Sequence, residues 1–381
     1  MSKHLEIGEK IELDMSSRRN FLKMLGGGAV GLLGLQTAIE RAYGEKAEGV
    51  PLVHTHDIYG NPDTVRLVPE ERYRKIMEYK NLPRRFTRQN GVRSVGLTQL
   101  SRDETDLVLE VTIDPAREDD LTRETLESQR PDGAMGVTVE TGERRNLEFL
   151  SSSEQQDLES LSCSDRDDEY SELVGGIEVN NDVELTSGGT LGLVGYNTDA
   201  EPVIVTAHHI THASDEILQP DEGRVVGDLH EASPHRTEED TVSYSIREDV
   251  VDYSAREVED IQDIDGKWTF EGITDETSGW IGGSIDVDFS GKTSCTGSNT
   301  AVDTERGTDY VEHAVWMDAS PEQDGDSGGP WIDDDGKLVA LASAGSEDPD
   351  GASVGAAATE ALEAVDAQLY PMCYAGADTT C

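Results

Sequence analysis

The residues best placed to do chemistry are Gly325-Asp326-Ser327-Gly328-Gly329-Pro330. A serine hydroxyl is a poor nucleophile until a neighbouring base takes its proton. Glycines on both sides let the backbone turn tightly and let a carbonyl group approach closely. They also allow the N–H groups of Gly325 and Ser327 to converge on one point, as stabilisation of a negatively charged oxygen requires. The expected chemistry is attack of Ser327 on a carbonyl carbon. That needs an imidazole base, distant in sequence and adjacent in space, and a carboxylate to orient it. Nine histidines are available. The run Pro202-Val203-Ile204-Val205-Thr206-Ala207-His208-His209-Ile210 brings a histidine to the end of an apolar strand, where a buried scaffold would hold the ring still.

Thr206-Ala207-His208-His209 after an apolar strand, followed much later by Gly325 to Pro330, resembles the chymotrypsin/trypsin-like serine peptidases. The closest resemblance is to their short bacterial secreted branch, and it runs from about Val174 to Leu369. It implies that His209 is the general base and Ser327 the nucleophile, with Gly325 and Ser327 as oxyanion donors. For the orienting acid it favours Asp252, in Val250-Val251-Asp252-Tyr253-Ser254-Ala255; Asp240, before Thr241-Val242-Ser243-Tyr244, is the competitor. Val174-Gly175-Gly176-Ile177 resembles the start of the mature domain, and Ser290-Gly291-Lys292-Thr293-Ser294 a Ser-Gly-Arg-Thr-Thr stretch of the same branch. In Leu341-Ala342-Ser343-Ala344-Gly345 the resemblance makes Ser343, Ala344 and Gly345 the substrate-binding residues, which add an extended peptide to a sheet edge. Ile210 stands where many relatives have a cysteine. No metal and no cofactor is required; His209 and His212 make a pair of ligand type without a third in the motif.

The elements that must position these side chains are short strands between Gly and Asp turns. They are Thr190–Val194, Pro202–Thr206, Thr241–Ile246, Gly283–Phe289, Tyr310–Trp316 and Leu338–Ala342. Thr359–Leu369 reads as a helix. The expected fold is all-β: two six-stranded antiparallel β-barrels with a C-terminal helix, preceded by a small α/β pro-region. In that region Leu107–Ile113 and Gly136–Glu140 read as strands and Asp120–Gln129 as a helix. Leu150–Tyr170 is rich in Ser and acidic residues and reads as an exposed linker open to proteolysis. The expected division is 1–44 export signal, 45–172 pro-region and 173–381 catalytic domain.

The 381 residues carry a net charge of −48, from 31 basic and 79 acidic side chains. Nucleic acid and anionic membrane surfaces are polyanions that such a chain repels, so neither is an expected partner. The charge is about −10 up to residue 170 and −38 beyond it. Arginines outnumber lysines 22 to 9. Many carboxylates with few lysines suit concentrated salt, where the Debye length shrinks to about 3 Å at 1 M and self-repulsion is screened. Ser17-Arg18-Arg19-Asn20-Phe21-Leu22-Lys23 before the apolar run Met24–Leu35 resembles a twin-arginine export signal, which implies a secreted protein. Twelve residues at about 1.5 Å rise are too short to span a membrane, so no membrane anchoring is expected. In an oxidising compartment Cys163, Cys295, Cys373 and Cys381 are candidates for one or two disulfides, in any of three pairings. The expectation is a secreted, salt-adapted, monomeric serine endopeptidase with polypeptide substrates and its own pro-region as partners. The alternatives are a catalytically silent peptide-binding module and an esterase using the same triad.

Overall fold

The computed structural model describes residues 10–12 and 49–369, apart from 100–105, 119, 130–134, 143–147, 150–171, 182–187, 213, 221–223, 235–237, 251–252, 261–265, 276–283, 319–323 and 347–351. The paired arginines, the acidic linker, Asp252, Cys163, Cys373 and Cys381 lie outside the described residues. Among the described residues no helix is long and apolar enough to cross a membrane.

Two compact units emerge. One comprises residues 1–144 with 274–283 and 304–307, and the other 145–273, 284–303 and 308–381. In the first, strands β1 (Lys10–Glu12), β2 (Val50–Asp57) and β3 (Pro62–Val68) pair antiparallel in the order β1-β3-β2. Strands β4 (Val92–Gln99), β5 (Leu107–Ile113) and β6 (Val137–Thr141) form a second run, with β5 and β6 parallel. The helix Arg123–Gln129 lies between the last two in sequence, so the expected strand–helix–strand unit is present.

A further helix, Glu70–Lys80, has too polar a sequence for its period to stand out. Only Tyr73, Ile76 and Tyr79 mark its apolar face, and Ile76 and Tyr79 are buried against Val95, Leu107 and Leu109. Its charges suit a helix: Glu70 and Glu71 in the first turn, Lys80 in the last. Its C-terminal carbonyls are satisfied from afar. The Arg306 guanidinium, 6% exposed, donates to Tyr79 O at 2.9 Å and to Lys80 O and Leu82 O at 3.0 Å.

The second unit opens with β7 (Glu148–Phe149). Strands β8 (Leu173–Gly175), β16 (Tyr253–Asp260) and β17 (Gly266–Thr269) make a three-stranded sheet. The rest is two rings of strands. The first runs β10 (Gly189–Thr190), β9 (Glu178–Asn181), β13 (Glu216–Gln219), β14 (Arg224–Ser233), β15 (Thr241–Ile246), β12 (Pro202–Ala207) and β11 (Leu193–Tyr196). Its two ends, β10 and β11, are separated by only Leu191 and Gly192 and belong to one stretch of chain. The sheet therefore closes as a six-stranded barrel, which leaves no open edge. Leu191, Val194, Ile204, Ile217, Val226, Val242 and Tyr244 fill it.

The second ring is built from β19 (Ile285–Gly291), β20 (Cys295–Arg306), β21 (His313–Met317), β24 (Ser353–Ala357), β23 (Lys337–Gly345) and β22 (Pro330–Asp333), which pairs back to β19. A short strand β18 (Gly272–Thr274) joins β23 in parallel. The expectation of two six-stranded barrels holds. The C-terminal helix is shorter than expected, at Ala358–Ala364. Thr241 Oγ1 and Ser243 Oγ donate to Ala361 O and Val365 O, and by Gln368 the chain is extended and bridged to Tyr196. Side chains of β15 thus stop the helix, a tertiary effect that the local pattern does not contain.

Candidate active site

The apolar β12 is buried along Val203–Ala207 and ends in a single helical turn, His208–Thr211. It pairs antiparallel with β15, and the last pair in register is Ala207↔Thr241. The residues just after β12 and just before β15 are therefore neighbours, and they are His208, His209 and Asp240. Asp240 O accepts from His208 N–H at 3.0 Å, and Asp240 Oδ1 accepts from His209 N–H at 3.0 Å. The other carboxylate oxygen lies 2.7 Å from His209 Nδ1. Asp240 is 1% exposed, with its backbone in the left-handed region at φ 52°.

The carboxylate on the imidazole is that of Asp240, the competitor named from the sequence; Asp252, the residue the resemblance favoured, lies outside the described residues. Strand register is what brings Asp240 to the ring.

The opposite edge of the ring meets a serine: His209 Nε2 is 2.8 Å from Ser327 Oγ. An ionised carboxylate only accepts hydrogen bonds, so the imidazole proton sits on Nδ1 and leaves the Nε2 lone pair for the serine hydroxyl. His209 is 4% exposed and Ser327 is fully buried. A fourth group joins them. Ser343 Oγ donates to Asp240 Oδ2 at 2.5 Å, and Ser343 O lies 3.2 Å from Ser327 Oγ. The sequence marks Ser343 only as a substrate-edge residue; its contacts with both ends of the relay could not be read from it.

The loop carrying Ser327 is held by Thr190 of β10. Thr190 N–H donates to Ser327 O at 2.8 Å and Thr190 Oγ1 to Gly325 O at 2.8 Å. Thr206 Oγ1 of β12 in turn donates to Thr190 O at 2.7 Å. One threonine thus links the strand beside the histidine to the loop of the serine. Gly328 permits this closeness. Its φ is +90°, and a Cβ there would lie 2.3 Å from both Thr190 O and Thr206 Oγ1. Asp326, 1% exposed, anchors the loop on its other side, where Oδ1 accepts from Thr293 N–H at 2.8 Å and Ser294 N–H at 3.1 Å. Backbone amides answer this buried charge and fix the turn.

Gly325 has φ +99°. Among the described residues, neither its N–H nor that of Ser327 donates to any atom, although both groups are buried. Two buried donors without acceptors beside a serine hydroxyl are chemically suited to receive a negatively charged oxygen. Ala344 and Gly345 lie on β23, where they pair antiparallel with Phe149 and Glu148 of β7. Among the described residues no group of three or more His, Cys, Asp or Glu side chains is placed to hold a metal ion.

No protein-family model matches the chain. No curated protein matches it either. Several solved serine proteases superpose on about half of it. A glutamic-acid-specific serine protease, described as using a histidine triad in substrate binding, aligns over 52% of this chain and 100% of its own, at 20% identity and a TM-score of 0.43. A Nocardiopsis protease aligns over 52% and 99%, at 17% identity and a TM-score of 0.41. The chymotrypsin of Cellulomonas bogoriensis aligns over 53% and 100%, at 15% identity and a TM-score of 0.40.

Proposed function

We propose that this chain is a secreted serine endopeptidase adapted to high salt. The observation that carries the reading is the unbroken relay from Asp240 through His209 to Ser327, with contacts of 2.7 and 2.8 Å. In this reading Ser327 Oγ attacks the scissile carbonyl as His209 Nε2 takes its proton. Asp240 stabilises the imidazolium that forms, and the N–H groups of Gly325 and Ser327 receive the oxyanion. His209 then gives the proton to the leaving amine, and water resolves the acyl-enzyme by the same steps in reverse. The roles of His209, Ser327 and Gly325 follow the sequence expectation, and Asp240 takes the role first given to Asp252.

Peptide rather than simple ester substrates are favoured by β23. Its Ala344 and Gly345 already accept an extended backbone as an added strand. Export rests on the twin-arginine resemblance, and salt adaptation on the charge of −48.

The test is covalent labelling with a serine-directed phosphonate in high salt, together with hydrolysis of unfolded protein. Labelling and proteolysis that both disappear in Ser327→Ala support the reading. A folded chain that neither labels nor cleaves peptides would be a binding module instead.

A further inference from the structure

The tip of the β19–β20 hairpin, Lys292-Thr293-Ser294, closes over the turn that carries Ser327 and brackets Gly325. On one side of the glycine, Thr293 Oγ1 donates to Asp324 O at 2.7 Å. On the other, the N–H groups of Thr293 and Ser294 hold the Asp326 carboxylate. Lys292 N–H donates to Thr190 Oγ1 at 2.9 Å, and that hydroxyl donates in turn to Gly325 O. The Lys292 ammonium pairs with Glu178 of β9, and its stem lies along the glycine. A Cβ at Gly325 would be 2.5 Å from Lys292 Cε and 2.7 Å from Thr293 Oγ1.

The bond to Asp324 O matters because of what lies at the other end of the same peptide group. A trans peptide is planar, and its C=O and N–H point in opposite directions. The group that links Asp324 to Gly325 carries the Asp324 carbonyl on one side and the Gly325 N–H on the other. Holding the carbonyl against Thr293 therefore turns the N–H away from the hairpin tip, to where it is buried without an acceptor. Turning this plane over would carry φ of Gly325 from +99° into the ordinary negative range. Glycine populates both signs of φ about equally, so its own backbone does not choose between the two orientations. In the wrong one a carbonyl oxygen faces the place that must receive a negatively charged oxygen.

We propose that Thr293 is a positioning residue: its hydroxyl selects the orientation of the Asp324–Gly325 peptide in which the Gly325 N–H serves as an oxyanion donor. The proposal rests on the endopeptidase reading and adds to it a residue outside the relay from Asp240 to Ser327.

The experiment compares Thr293→Val and Thr293→Ser with wild type in high salt. It measures kcat and KM on a peptide substrate, inhibition by a peptide aldehyde, and phosphonate labelling. Valine keeps the branched shape and the N–H that serves Asp326 but lacks the hydroxyl, whereas serine keeps the hydroxyl. Removing an oxyanion donor costs about 10²–10³-fold in kcat, so Thr293→Val should lose about tenfold or more, up to that limit, with KM near wild type. The aldehyde adds Ser327 and places its own oxygen in the oxyanion site, so its affinity should fall by a similar factor. Thr293→Ser should keep wild-type kcat and aldehyde affinity. Thr293→Ala, which removes the same oxygen without new bulk, replaces Thr293→Val if the valine variant does not fold. A folded variant without the hydroxyl that retains wild-type kcat and aldehyde affinity overturns the proposal. So does an equal loss in Thr293→Ser. A wild-type chain that takes no phosphonate label overturns the endopeptidase reading and the proposal with it.

Discussion

His209 and Asp240 meet twice: the backbone N–H of His209 donates to one carboxylate oxygen at 3.0 Å, and its ring nitrogen lies 2.7 Å from the other. A two-point contact of this kind fixes the position of the imidazole as well as its tautomer. Asp240→Asn should keep the fold, because the amide oxygen can still accept from the His209 backbone, but it no longer enforces the productive tautomer. The expected fall in kcat is about 10⁴-fold. Asp252→Asn should stay within about twofold of wild type, because the acid's place is already filled. Steady-state kinetics on a peptide substrate separate the two variants.

Ser343→Ala removes the hydroxyl that donates to Asp240 Oδ2 but keeps the backbone of β23. A hydrogen bond to a buried charge contributes about 1.5–3 kcal/mol. The expected effect is a loss of about tenfold or more in kcat with KM little changed, since the backbone groups that would hold a peptide are untouched.

Glu239, one residue before the acid, is 3% exposed. Its carboxylate accepts from His313 N–H at 3.1 Å and lies 2.8 Å from His313 Nδ1, which ties the start of β15 to β21. Ser233 Oγ accepts from Glu239 N–H at 3.0 Å. These contacts hold the turn in which Asp240 takes its left-handed backbone. Glu239→Ala leaves the His313 donors without their acceptor and should cost about 1–3 kcal/mol of stability. Urea denaturation of the variant against wild type measures this.

In the first unit, burial holds the His56 imidazole below its ordinary value, with Asp275 opposing that shift and Lys80 adding to it. The unfolded chain therefore takes up a proton near pH 6.5 that the folded chain refuses. The stability contributed by neutral His56 is complete above about pH 6.5 and is lost as pH falls toward the lower folded value. Denaturation midpoints between pH 7.5 and 5 should fall more steeply in wild type than in His56→Gln, given about equal slopes from the other groups.

The charge of −48 sets the response to salt. At low ionic strength the carboxylates repel across the surface and disfavour the compact state. Dialysis from molar salt to about 10 mM, where the Debye length reaches about 30 Å, should unfold the protein. An unchanged far-UV circular dichroism spectrum would contradict this expectation.

How far the sequence reached depended on whether a feature was local. Gly325 to Pro330 is legible because a tight turn around a nucleophile needs its glycines next to the serine. Pro202–Ala207 and Thr241–Ile246 are legible because buried strands of a barrel are continuous apolar or alternating runs. The helix Glu70–Lys80 escaped because its apolar face is only three side chains wide and its last turn is satisfied by Arg306, more than two hundred residues later. A signal for Asp240 did exist: it immediately precedes one of the expected strands. With 79 acidic residues in the chain, such adjacency did not distinguish it from Asp252.

The amino-acid order alone therefore determined the glycine-flanked turn of Ser327, the strand that leads to His209, the barrel class and the net charge. Each of these is written in neighbouring residues or in composition. Tertiary structure alone decided which carboxylate meets His209, that Ser343 touches both Asp240 and Ser327, and that Glu148–Phe149 runs along β23 toward the serine. Those facts depend on the register in which distant strands pair, and hydrogen bonds between backbones set that register over the whole barrel at once.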